Sequence, residues 1–470
     1  MSKKKLIKDT FIYAIASFGA KSISFLLLPL YTNYFTSAEY GHWDLILTTT
    51  SLIIPFISFE MQSAVYRWLL EAKSFEDRQN IISTGFIYAI RNMLLSTTLA
   101  LIMLAIYPIN YGVFILVMIN VSILNDFIIK SLRGLGYNRQ FAIMGVLQTF
   151  TMIILNIVFI FVLKFRMETF FYSFIISYLI VAMIGWFILK FHQYLSLKRY
   201  SKSFLKSFIK YSIPMIPGAV NWWIMDASDR YIIAMFLGID ANGIYAVSYK
   251  LPAIIMLANS VFFLAWQDNA ISTYKDKNRD LYYTSIFSDY FKLMLTSCII
   301  LILTGRLIID FIVADKFFES WKYIGLLYVG TTFSAFSSFW GAGYHGSKET
   351  GVIFRTTLMG AIVNILINLS LINFIGLYAA AMSTAIGYIA MWLFRVFNKN
   401  ALFKIKIEIK PFLILMVLVI ISLCITLLES TIIDIIAILI SVIVFIIFNR
   451  KIINSMINKA INVCRSIRNK

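Results

Sequence analysis

Apolar runs of helix-spanning length recur fourteen times along the chain, at about 9–34, 43–68, 81–106, 110–130, 140–163, 168–190, 208–237, 243–268, 281–305, 321–343, 352–373, 376–397, 411–428 and 432–449. A hydrocarbon core of roughly 30 Å takes about 20 apolar residues of α-helix to cross, so each run predicts a membrane-spanning helix. The polar gaps between them alternate in charge. Lys190, Lys198, Arg199, Lys202, Lys206 and Lys210 lie between runs six and seven without an acid among them. Arg395, Lys399, Lys404, Lys406 and Lys410 follow run twelve, and Arg450, Lys451, Lys459, Arg465, Arg468 and Lys470 close the chain. The odd gaps instead hold Glu39, Asp240, Asp315, Glu319, Glu429 and Asp434 with few bases. Excess Lys and Arg mark cytoplasmic loops, so the pattern predicts a multi-pass membrane protein with both ends in the cytoplasm.

Composition agrees. Of 470 residues, 60% are hydrophobic and 14% charged, against about a quarter charged in an ordinary soluble chain. The net charge of +19 sits in the even gaps, where it sets orientation and attracts anionic lipid; no nucleic-acid partner is expected. Cys298, Cys424 and Cys464 are scattered and predict no disulfide framework. The Lys3-Lys4-Lys5 start precedes an apolar run that contains Lys21 and lacks a small-residue cleavage site, so it reads as the first span rather than a leader. No gap is long enough for a soluble domain.

Two stretches echo each other about 202 residues apart: Phe35-Thr36-Ser37-Ala38-Glu39-Tyr40-Gly41-His42-Trp43 and Leu237-Gly238-Ile239-Asp240-Ala241-Asn242-Gly243-Ile244-Tyr245. Arg91 and Lys292, each near the middle of its run, lie 201 residues apart. These echoes predict two six-helix halves, 1–200 and 201–400, with the same orientation and a pseudo-symmetry axis along the membrane normal. Residues 401–470 then hold two further helices and a basic tail.

Signatures of catalysis are missing. There is no P-loop, and His42, His192 and His345 are too dispersed for a metal site. Gly341-Ala342-Gly343-Tyr344-His345-Gly346 matches a dinucleotide string, but it ends a hydrophobic helix and follows no strand, so it fails its context test. No cofactor and no metal are expected, and transport is the default over enzymology.

Charges inside the apolar runs carry the functional signal, because each costs roughly 2.5–3.5 kcal/mol at a helix centre on insertion scales. They include Lys21, Glu60, Arg91, Asp126, Asp226, Asp229, Arg230, Lys250, Asp289 and Lys292. Lys21 has no acid one turn away, which favours a cavity role. Asp226 and Arg230 fall four apart on one face, whereas Asp229 and Arg230 are adjacent and expected to point differently. For Arg91 and Lys292, cavity and structural pairing stay equally open. Helix seven carries Pro214 and Pro217, then Asn221, Trp222 and Trp223. Proline bends a helix, so the pair is a candidate hinge.

The chain resembles the polysaccharide repeat-unit flippases of the O-antigen translocase (Wzx) type, within the multidrug/oligosaccharidyl-lipid/polysaccharide exporter superfamily. The resemblance rests on Lys21 with Phe25-Leu26-Leu27-Leu28-Pro29-Leu30-Tyr31, Glu39-Tyr40-Gly41 with Asp44-Leu45, and Asp229-Arg230-Tyr231-Ile232-Ile233. It continues through Gly243-Ile244-Tyr245, Tyr249-Lys250, Gly341-Ala342-Gly343-Tyr344, Asn364 with Asn368, and Gly376-Leu377-Tyr378-Ala379-Ala380-Ala381 with Thr384. It spans about residues 5–400. The resemblance implies an all-α integral membrane fold of two pseudo-symmetric six-helix lobes around a central cavity, walled by helices one, two, seven and eight. It also implies an undecaprenyl-diphosphate-linked oligosaccharide as substrate, moved across the bacterial inner membrane for O-antigen, capsule or another surface polysaccharide. Other polysaccharide-assembly membrane proteins are implied as partners.

A diphosphate needs cations, and Lys21, Arg91, Arg230, Lys250 and Lys292 are the candidates. Glu60, Asp226 and Asp229 are candidates for ion coupling, with proton, sodium or no coupling left open. The rival readings are a drug/cation antiporter or lipid II flippase of the same superfamily, and a membrane-embedded polysaccharide polymerase or ligase. The basic bias of the buried charges argues against a cationic drug. The lack of a large outer loop argues against an enzyme.

Overall fold

A computed structural model describes Phe25, residues 27–398 and residues 401–454. Every regular element among the described residues is helical, and the chain divides into two compact units, Met1–Tyr231 and Ile232–Lys470.

The first unit contains α1 (Leu28–Tyr34), α2 (Ser37–Ser58), α3 (Met61–Leu69), α4 (Phe75–Ile106), α5 (Gly112–Gly134), α6 (Asn138–Ile157), α7 (Met167–Leu189), α8 (Lys202–Ser212) and α9 (Ile216–Phe236), whose last residues cross into the second unit. Two helix starts are written into the sequence. Thr36 and Glu39 form a reciprocal capping box at α2, and Ser74 and Asp77 form one at α4, each satisfying backbone N–H groups that the helix start would leave unpaired. A core of Met61, Val65, Leu69, Ile82, Phe127, Val181, Phe191 and Phe208 holds α3, α4, α5, α7 and α8 together. Toward the other end, Trp43 stacks on Phe170 at 4.9 Å, and Phe35 lies 4.2 Å from the same ring.

The second unit contains α10 (Ile239–Ser248), α11 (Ala253–Ser272), α12 (Arg279–Ile312), α13 (Trp321–Gly346), α14 (Thr350–Ile375), α15 (Leu377–Val396), α16 (Ile409–Thr426) and α17 (Thr431–Phe448). Gly376, at φ +57°, makes the tight turn from α14 to α15, a conformation that suits a residue without Cβ. The two helices then pack closely: a Cβ on Gly387 would lie 2.9 Å from Cβ of Asn364 and 3.1 Å from the carbonyl oxygen of Gly360. Small residues permit this kind of backbone approach in membrane helices. Fully buried Arg395 ties three helices, donating to the Ser337 carbonyl, to Thr356 Oγ1 at 3.0 Å and to Thr357 Oγ1 at 3.1 Å. Polar contacts along α12 hold the last two helices: Lys292 with Glu408, Thr296 with Asn449, Arg306 with Asp434, and Asp289 with Lys451.

Nine of the described helices are long and apolar enough to cross a membrane, or up to eleven if each of two bent pairs is one span. The bent pairs are α2 with α3, at 61°, and α10 with the first part of α11, at 44°. Both runs were expected as single helices, 43–68 and 243–268. Pro252 accounts for the second break, since it has no N–H for the preceding turn. Phe59 and Glu60 make the first, both at φ 50°. The expected first span falls mostly outside the described residues. Helix seven, expected over 208–237, is instead an amphipathic α8, a 3₁₀ turn at Ile213–Met215, and α9. Pro214 sits in that turn and Pro217 at the second position of α9, where a missing N–H breaks no intrahelical bond.

Candidate functional site

Helices α2 and α9 meet along several polar contacts inside the first unit. Trp223 Nε1 donates to the carbonyl of Thr48 at 2.9 Å, and the hydroxyls of Thr49 and Tyr231 share a short hydrogen bond. Beside them lies a buried charge cluster. Arg230 Nε donates to Asp44 Oδ2 at 2.9 Å. Its Nη1 donates to Asp229 Oδ1 at 3.1 Å and to the backbone carbonyl of Asp226 at 2.6 Å. Asp44, Asp229 and Arg230 retain 9%, 2% and 7% of their surface, so this is one guanidinium held between two carboxylates in a poorly solvated place. Burying such charges costs several kcal/mol per ion unless partners and hydrogen bonds offset it, and here each has them.

Asp229 and Arg230, neighbours in sequence, do pair, because the long arginine side chain curls back along its own helix and the Asp229 carboxylate also accepts the Arg230 backbone N–H at 3.0 Å. The one-turn relation of Asp226 to Arg230 is realised through the Asp226 carbonyl. Asp44 was not singled out as a buried charge. It lies at the edge of the second apolar run, where a carboxylate reads as interfacial. The signal that finds it is the need of Arg230 for a counter-charge.

Glu60 occupies the break between α2 and α3. Two consecutive non-glycine residues in the left-handed region, Phe59 and Glu60, cost on the order of 1–3 kcal/mol each and mark sites that the surroundings over-determine. Here Asn92 Nδ2 donates to the freed Ile57 carbonyl at 3.4 Å, and the Glu60 N–H donates to Ser58 Oγ at 3.2 Å. The Glu60 carboxylate accepts from Ser63 Oγ at 2.7 Å, Lys130 Nζ donates to that hydroxyl at 3.2 Å, and Lys130 pairs with Asp126 at 3.6 Å. Ser63 and Lys130 were not anticipated, since their pairing depends on how α3 packs on α5.

The other sequence candidates are dispersed. Arg91 is exposed, with its guanidinium 4.6 Å over the Tyr88 ring and 3.5 Å from Asn92 Oδ1. In the second unit, Lys250 is half-buried within the α10–α11 break. Lys292 donates to Glu408 Oε2 at 2.6 Å and to Ser288 Oγ at 2.9 Å. Those bonds from Lys292 and Ser288 hold the Glu408 carboxyl below the usual carboxylate range. Lys21 lies outside the described residues. From a connecting segment of the first unit, Arg166 grips Glu39 with two bonds of 2.8 Å. Among the described residues, no group of three or more His, Cys, Asp or Glu side chains is placed to hold a metal ion.

Comparison with known proteins gives three findings. The model of a family described as polysaccharide biosynthesis protein matches residues 6–266. An uncharacterized membrane protein of Methanocaldococcus jannaschii is 21% identical over 456 residues, covering 90% of this chain and 89% of that protein. Among solved structures, lipid II flippase MurJ in an inward closed conformation superposes with a TM-score of 0.72 at 17% identity, over 95% of this chain and all of that one. An inward-facing multidrug resistance MATE family transporter of the MOP superfamily gives 0.63 at 13% identity, over 87% and 95%.

Proposed function

The chain belongs to the polysaccharide biosynthesis protein family, and from that premise we propose that it is a flippase for undecaprenyl-diphosphate-linked oligosaccharide repeat units. It is a multi-pass membrane protein with the fold of the MurJ and MATE transporters. On this reading it sits in the cytoplasmic membrane with both termini inside and works by alternating access, without catalysis.

The observation that carries the reading is Arg230. A guanidinium held by two carboxylates is a cation that can change partners. A diphosphate offers the same planar, bidentate recognition that Arg favours, so substrate competes with Asp44 for Arg230. Loss of the Asp44 contact would free α2 from α9 at this level, while Trp223 and Tyr231 remain as weaker ties. Binding energy then shifts the conformational equilibrium only because the cluster differs between bound and free states. Lys21, Arg91, Lys250 and Lys292 are the further diphosphate cations of this proposal, with Lys292 first having to leave Glu408. Pro214 and Pro217 are its hinge, and Glu60, Asp226 and Asp229 its coupling carboxylates.

A second reading, transport of lipid II, is favoured by the superposition on MurJ. Both substrates present a diphosphate, so the sugar decides. The test is the purified chain in vesicles, offered either lipid-linked oligosaccharide or lipid II with a fluorescent label. Faster movement of the oligosaccharide supports the first reading, and faster movement of lipid II the second. Movement of neither, beside a cationic drug that does cross, would support the antiporter and sink both.

A further inference from the structure

Helix α8 is built differently from the spans around it. Lys202, Lys206 and Lys210 recur every four residues, which sets them on one face, and all three are exposed. On the opposite side Phe208 is fully buried, with its ring 5.2 Å from Trp68 of α3; Tyr211 lies 5.4 Å from the same indole. The helix is therefore fixed to the first unit by its apolar side and turns its ammonium groups outward.

Those charges are not neutralised within the protein. No Asp or Glu occurs between Glu168 and Asp226. The acids on the elements packed against α8 are engaged: Glu71 with Arg67, Glu76 with Arg199, and Asp77 with the cap of α4. Lys198, Lys202, Lys206 and Lys210 have no ion pair among the described residues. Exposed apolar side chains flank them: Leu197 at 82% and Ile213 at 42%. A soluble acidic partner needs charge complementarity alone, whereas cations mixed with protruding apolar groups suit the headgroup layer of a bilayer.

The backbone gives this face a route to the rest of the molecule. Helix α8 runs into the 3₁₀ turn at Ile213–Met215 and then into α9 with helical dihedrals at the junctions, φ −55° and ψ −45° at Ile213 and φ −58° and ψ −51° at Ile216. The Lys stripe is thus joined without a loop to the Pro214–Pro217 segment and, four turns on, to the Arg230 cluster.

We propose that the Lys202–Lys206–Lys210 face of α8 binds the phosphate headgroups of anionic phospholipid at the membrane surface, and that this contact sets the angle at which α9 leaves the Pro214–Pro217 turn. The occupant is a lipid phosphate of the bilayer itself, distinct from any transported substrate, so the inference stands whether or not the proposed function does. Each lysine near an anionic surface contributes about fivefold in affinity, and removing three weakens the contact on the order of a hundredfold.

The test uses the full chain in vesicles, with spin labels on cysteines replacing Ser203 and Trp222 in a background without Cys298, Cys424 and Cys464. The label-to-label distance distribution is followed as phosphatidylglycerol is titrated into phosphatidylethanolamine. The distribution is expected to shift with phosphatidylglycerol and to shift back as salt is raised. Triple replacement Lys202→Gln, Lys206→Gln and Lys210→Gln removes most of the response, and the triple Arg variant keeps it. An unresponsive wild type, a Gln variant that responds as wild type does, or the same shift from inorganic phosphate alone would each overturn the proposal. Capture by an acidic soluble protein with no lipid response would assign the face to that partner instead and overturn it equally.

Discussion

The Asp44–Arg230 contact makes a quantitative demand that a double-mutant cycle can meet or refuse. Arg230→Gln removes the one guanidinium between two carboxylates that are 9% and 2% exposed. Breaking a buried pair by deleting one partner costs about 3–5 kcal/mol. Asp44→Asn is milder, because Arg230 keeps Asp229 and the Asp226 carbonyl and loses only one charge-assisted bond, about 1.5–3 kcal/mol. The double variant has no charge on either side of that contact and should cost less than the sum. The coupling energy expected is about 1.5–3 kcal/mol, since the pair is direct at 2.9 Å and poorly solvated. The assay is reversible denaturation of the four proteins in mixed micelles, with transport of labelled lipid-linked sugar read in parallel. Stability changes that simply add, within about 0.5 kcal/mol, would show that Asp44 and Arg230 do not hold α2 to α9. The proposed exchange of Arg230 between Asp44 and substrate would then lose its basis.

Other outcomes follow from the same geometry. Glu60→Gly relieves the left-handed strain at φ 50° and should raise thermal stability by about 1 kcal/mol, while Glu60→Gln leaves the helix break in place and should flatten any dependence of transport on a proton or sodium gradient. A lowered stability for the glycine variant would contradict the strain argument. Gly387→Ala pushes a methyl against Asn364 and the Gly360 carbonyl and should cost about 1–3 kcal/mol, read as a lower melting temperature; an unchanged one would mean that α14 and α15 part easily. Arg166 holds Glu39 at the start of α2 with two bonds of 2.8 Å. Arg166→Gln should therefore be less stable than wild type by about 0.5–1 kcal/mol at neutral pH, with a gap that narrows as salt is raised; a gap unchanged by salt would assign the loss to packing.

The long apolar runs made most helices legible, because the bilayer forces every backbone polar group into internal hydrogen bonds and the side chains announce it. Capping residues such as Ser74 and Asp77 place the α4 start several residues ahead of its apolar run. What stayed hidden was interruption and partnership. Nothing at Phe59–Glu60 announces a break, since neither residue is Gly or Pro and the conformation is imposed by tertiary contacts such as Asn92 to Ile57. The expected seventh run, 208–237, takes in only the end of amphipathic α8, because Phe208 and Ile209 continue the apolar pattern on one side. Arg230 and Lys292 were visible as costly charges, but their partners Asp44 and Glu408 lie far away in sequence, and only the packing of α2 on α9 and of α16 on α12 reveals them.

Movement of a diphosphate-linked oligosaccharide by the purified protein can be followed across a single bilayer. Vesicles containing the purified protein are loaded with a fluorescent undecaprenyl-diphosphate oligosaccharide, and an impermeant quencher reports arrival in the outer leaflet. Vesicles with protein should expose the label at a rate well above protein-free vesicles, and Arg230→Gln should return that rate to the protein-free level while binding to the membrane is unchanged. Equal rates with and without the protein, under every ion gradient tried, would show that the chain does not move this substrate.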